Sequence, residues 1–131
     1  MACRYNEYAD ISKLIDDDNF SKTKHIKVKK VDTLNILKYY KDKLNNDNEK
    51  TLGLFRSVIA TNDGNIICVA PPKSIHFENF SNSNRYEDCI FQKFVEGTMI
   101  NVFYDNELED WRISTRSTLD GKCNFNMDSN I

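Results

Sequence analysis

The sequence contains no apolar run near the ~18 residues that a membrane-spanning helix needs. Its first residues, Met1-Ala2-Cys3-Arg4-Tyr5-Asn6-Glu7, lack the apolar stretch of a secretory signal. Neither a membrane partner nor a secretory route is expected. Cysteine is sparse. Cys3, Cys68, Cys89 and Cys123 stand far apart, with no Cys-x-x-Cys and no paired histidine, which argues against a zinc cluster. Cys68 and Cys89 sit in apolar runs and read as small buried thiols, so a reducing compartment, cytoplasmic or otherwise intracellular, is expected. A formal net charge of -2 removes the bulk basic excess of a protein that holds nucleic acid by total charge, and leaves only a local patch open. There is no Gly-x-x-x-x-Gly-Lys-Ser/Thr loop and no Gly-x-Gly-x-x-Gly. The two histidines, His25 and His76, lack the context of a serine or cysteine nucleophile. With 4 glycines and 2 prolines in 131 residues, and 40% hydrophobic residues, the chain is neither collagenous nor low-complexity and has the makeup of one ordinary domain.

What is present divides near residue 52. Residues 1–52 read as a polar segment followed by a helix, and 53–131 as a β-rich region, together one compact domain. Lys24-His25-Ile26-Lys27-Val28-Lys29 alternates as an edge strand with its lysines toward water; a nucleic-acid-binding arm is the other reading. Asp32 or Thr33 is a suitable cap for a helix carrying Leu34, Ile36, Leu37, Tyr40 and Leu44, ended by Asn45-Asn46-Asp47-Asn48. Leu54 to Ala60 and Ile66 to Ala70 are strand candidates joined by the tight turn Asn62-Asp63-Gly64-Asn65. Pro71-Pro72 stops the second of them. Ser74 to Phe80 is short and aromatic, and Ser81 to Asn84 reads as a loop. Cys89 to Val95, Thr98 to Tyr104 and Trp111 to Arg116 complete the strand candidates, with the acidic stretch Asp105 to Asp110 turning the chain. The expected fold class is α+β: a curved antiparallel sheet with one or two packed helices. High Asn and Lys usage with few Gly and Pro fits an AT-rich genome, such as that of a large virus.

Polar residues set into these strands are the candidates for chemistry. Arg56 interrupts an apolar run, Lys73 follows the double proline, and Lys93 and Glu96 flank Phe94-Val95 just before Gly97. Arg112 and Arg116, four apart in a strand, point to one face. Converging on a concave surface, such cations suit a polyphosphate, with arginine giving bidentate contacts and lysine a point charge. Alternatively, Phe91, Phe103, Tyr104 and Trp111 with interleaved basic residues describe a small non-enzymatic module that binds RNA or protein.

Four segments in order carry a resemblance: Leu54-Phe55-Arg56-Ser57-Val58-Ile59, Pro71-Pro72-Lys73-Ser74-Ile75-His76-Phe77, Phe94-Val95-Glu96-Gly97-Thr98-Met99-Ile100 and Ile113-Ser114-Thr115-Arg116-Ser117-Thr118. Over residues 53–121 the chain resembles the first half of an RNA ligase adenylation domain, of the covalent nucleotidyltransferase superfamily. The resemblance implies an ATP-grasp-like half-domain that binds ATP or another nucleotide, RNA ends, or both, with Mg2+ as a possible cofactor. It assigns nucleotide or phosphate contacts to Arg56, Lys73, Gly97 and Arg116, and catalysis to Lys93 and Glu96. In the family the lysine that takes AMP lies two residues before the acidic one. Here that position is Phe94, and Lys93 is one residue earlier. A one-residue shift in a strand reverses the side chain, so Lys93 would need a bulge to serve.

Overall fold

The computed structural model describes residues 2–120. Three short helices come first, α1 (Ala2–Tyr8), α2 (Ile11–Asp16) and α3 (Asp18–Thr23), followed by strands β1 (Ile26–Val31), β2 (Leu34–Tyr39), β3 (Val58–Thr61) and β4 (Ile66–Val69). The four strands form one antiparallel sheet in the order β1-β2-β3-β4. Helix α4 (Phe77–Ser83) and a hairpin of β5 (Asn101–Asp105) and β6 (Asp110–Ser114) complete the described chain. The α+β class and the antiparallel sheet are thus present. The sheet also runs across residue 52, because β2 pairs with β3.

The helices are short enough to hide from periodicity, and their ends are fixed by caps. The Asp10 side chain accepts from the Lys13 N–H, and Asp17 accepts from Asn19 and Phe20. Ile11, Leu14 and Ile15 of α2 join Tyr5, Ile26, Leu37, Leu52, Phe55 and Val58 in the larger core. Phe55, fully buried, meets Tyr5 edge-on at 5.4 Å between ring centres.

The expected helix from Leu34 to Leu44 is a strand, β2, entered through a two-residue turn at Asp32-Thr33 with Asp32 at φ +54. The physical reason is burial on both sides. Leu37 and Tyr39 face the helices, while Leu34 and Ile36 pack in a second cluster with Ile59, Phe103 and Leu119 under the β5–β6 hairpin. A strand covered on both faces carries apolar residues at both parities, and such a run mimics helical spacing. The Asn45–Asn48 turn lies where expected, built from side-chain bonds such as Asn45 Oδ1 to the Asp47 and Asn48 N–H groups.

Three further expectations change. Cys89 to Val95 is not a strand but irregular chain, with Ile90 at 87% and Phe94 at 86% exposure and no partner strand among the described residues. Its apolar residues have the composition of a strand but no neighbour to pair with. Ser81 to Ser83 belong to α4 rather than to a loop, since the Ser81 hydroxyl donates back to the Glu78 carbonyl within the helix. Cys68 and Cys89 are half-buried, not buried. Cys68 lies at the margin of the second cluster, and burial raises its thiol pKa; the Cys89 thiol reaches the Arg85 carbonyl. The side chain of Cys3, Cys123 and the polar run after Gly121 lie outside the described residues.

Candidate anion-binding site

At the end of the sheet where β2 stops and β3 begins, the ladder gains a residue. Leu37 pairs with Val58, yet the Tyr39 N–H donates to the Phe55 carbonyl at 2.8 Å. Arg56 and Ser57 therefore stand together against Lys38. This is the two-against-one count of a bulge, a device that re-aims side chains. Lys73 arrives at the same place because Pro71-Pro72 ends β4 and its own N–H donates to the Gly53 carbonyl at 3.1 Å. Arg116 comes from beyond β6. Its Nε donates to the Arg56 carbonyl at 3.3 Å, and its guanidinium lies 5.2 Å from the centre of the Tyr39 ring.

These residues line one cavity of about 390 Å³ together with Lys41, Leu44 and Ser74. Four of its seven lining residues are cations and none is a carboxylate. The charge extends past its rim. Burial first, then the charges of Lys27, Arg116, Lys29 and Lys41, hold the Lys38 ammonium below the usual lysine range. Another cavity of about 390 Å³, lined by Arg4, Tyr5, Leu54, Val69, Ala70, Pro71 and Pro72, offers a single charged side chain and is the poorer anion site.

Arg56, Lys73 and Arg116 thus meet, while Lys93, Glu96 and Gly97 do not join them. All three lie in the exposed irregular chain before β5. Gly97 has φ +150, and a Cβ there would meet nothing within 4 Å, so it marks backbone freedom rather than close approach to a ligand. Arg112 also departs. It is buried, bonded to Asp105 at 3.2 Å and to Asp120 at 2.8 Å. The sequence reading missed Lys41, Tyr39 and Ser74. Lys41 was hidden by the helix assigned to its segment. Its real context, two residues past the end of β2, shows only once that strand is known.

The magnesium of the ligase resemblance does not fit this lining, which supplies cations and the hydroxyls of Tyr39 and Ser74 but no carboxylate. Among the described residues, no group of three or more His, Cys, Asp or Glu side chains is placed to hold a metal. Likewise, no described helix is long and apolar enough to cross a membrane. No protein-family model, curated protein or solved structure matches the chain.

Proposed function

We propose that the chain binds a phosphorylated ligand, ATP or another nucleotide or the phosphorylated end of an RNA, in the cavity of Lys41, Arg56, Lys73 and Arg116. The observation that carries this reading is the meeting of cations from four separated segments around a space without a carboxylate. Fixing like charges together costs energy, which a bound polyanion offsets. Arg116, stacked on Tyr39, is held ready for a bidentate phosphate contact. The ligase resemblance assigns the same phosphate-contacting role to Arg56, Lys73 and Arg116. The reading is one of binding, without a lysyl–AMP step. Phe94 occupies the position of the family nucleophile, and Lys93 lies outside the cavity. The aromatic-module reading is less well supported: Phe103 is buried, and Tyr104 and Trp111 flank the acidic turn Asp105 to Asp110, which repels a phosphate backbone.

Calorimetric titration with ATP and with a 5′-phosphorylated oligoribonucleotide tests the proposal. Each charged hydrogen bond is worth about 1.5–3 kcal/mol, so Arg56→Gln and Arg116→Gln should each weaken binding by roughly tenfold or more. Absence of heat from both ligands at millimolar concentration, or variants that bind as the parent does, would remove it.

A further inference from the structure

We propose that Lys27, Lys29 and Lys38 form a second phosphate subsite beside the cavity, so that the chain takes a run of linked phosphates rather than one nucleotide alone. The inference rests on the reading of the cavity for its first phosphate. Its own support is the far side of the Arg116 loop. Arg116 reaches into the cavity, and the next residue, Ser117, receives two lysine heads. Lys29 Nζ donates to the Ser117 carbonyl at 3.2 Å, and Lys38 Nζ to its hydroxyl at 2.7 Å. Lys27 stands directly opposite Lys38 in the β1–β2 register, on the same face. Like charges opposite one another destabilise a sheet. Burial and four neighbouring cations act on Lys38, and no carboxylate acts on it in the opposite sense. None of the three lysines has an ion-pair partner among the described residues, although acidic side chains outnumber basic ones in the chain.

Cations sharing one face, without a carboxylate partner among the described residues and next to the cation-lined cavity, are the footprint of a phosphate chain, as in a single strand of nucleic acid. Lys27 and Lys29, which the sequence offers as a solvated edge, join Lys38 as its guide rail.

The test compares ATP with a 5′-phosphorylated ten-nucleotide uridylate on the full chain, using wild type, Lys27→Gln/Lys38→Met, and Arg56→Gln. The expected result is tighter binding of the oligonucleotide than of ATP by wild type. The lysine variant should keep ATP affinity within about twofold and lose oligonucleotide affinity by at least tenfold. Its salt dependence should flatten by ~1.4 in slope for two lost phosphate contacts on a single strand. Arg56→Gln should weaken both ligands. Lys29→Gln serves as a second, milder variant and should shift the oligonucleotide alone. Inorganic polyphosphate of ten units separates the sources: equal binding assigns the subsite to phosphate charge alone, and weaker binding adds the nucleosides. If wild type binds ATP but holds the oligonucleotide no more tightly, or if the lysine variant binds both ligands as wild type does, the subsite is refuted and the cavity reading stands. If the lysine variant loses both equally, the lysines belong to the cavity and the separate subsite is again refuted. Failure of wild type to bind either ligand overturns both readings.

Discussion

Two arginines four residues apart illustrate how far a side chain's role depends on what it meets. Arg116 is half-exposed and lies across Tyr39 in the cation cavity, whereas Arg112 is 6% exposed and holds Asp105, itself 1% exposed. For Asp105, burial alone would raise the pKa. The Arg112 hydrogen bond, the Glu107 and Leu108 N–H groups and the Arg112 charge together outweigh it and hold the carboxyl below its ordinary value. Arg112 itself is pushed upward, chiefly by its hydrogen bond to Asp120. Removing one member strands the other in the interior. Arg112→Gln is therefore expected to destabilise the fold by about 3–5 kcal/mol, read from urea denaturation. The sign of the pH dependence follows from the depressed carboxyl pKa. The contribution of Asp105 is complete above the ordinary 3.8 and is lost as the pH falls through the lowered value. Acid denaturation of wild type should show this loss, and Asp105→Asn should lack it.

At the scale of elements, the sequence revealed what local rules decide. The Asp63-Gly64 turn, the stop at Pro71 and the alternation of Trp111 to Ser114 all appear in the fold, each fixed by residues near in sequence. The β2 strand was illegible because its neighbours on both faces, Leu14 and Phe103 among them, are distant in the chain. The bulge at Arg56-Ser57 was hidden for the same reason, since register is a property of two strands. In the β3–β4 turn, Gly64 has φ +88, and a Cβ there would lie 2.8 Å from the Ser12 backbone nitrogen of α2. Gly64→Ala is expected to cost more than about 1 kcal/mol, through backbone strain and through this contact, as a lowered urea midpoint. The Lys27–Lys38 pair predicts the opposite. Lys27→Gln should raise stability at low salt by roughly 0.5 kcal/mol, because opposed like charges are removed while the Lys38 bond to Ser117 stays. The lowered Lys38 pKa means that the folded state gives up its proton first. The cost is present in full at neutral pH and fades as the pH rises from the lowered value toward 10.5. Wild type should gain stability over that alkaline range, and Lys38→Met should not.

Across the whole molecule, the two halves of the chain are finished differently. Residues 4–70 bury nearly all of the core, while Ile90, Phe91, Phe94, Val95 and Trp111 stand out into solvent. The cation cavity lies in the well-packed half, at one end of the four-stranded sheet, and draws Arg116 back to Arg56 across 60 positions of sequence. Three of its cations were legible in the order of the segments. Lys41 and the neighbouring Lys38 were not, because their place depends on the strand that periodicity disguised. Lys93 and Glu96 were drawn into the site by resemblance, and the fold leaves them outside it. A nitrogen-15 NMR titration of the chain with ATP tests this arrangement most directly. The backbone amides of Lys41, Arg56, Lys73 and Arg116 are expected to shift together with one affinity, while those of Lys93 to Gly97 stay where they are. Shifts confined to Lys93 to Gly97, or none at saturating ATP, would contradict it.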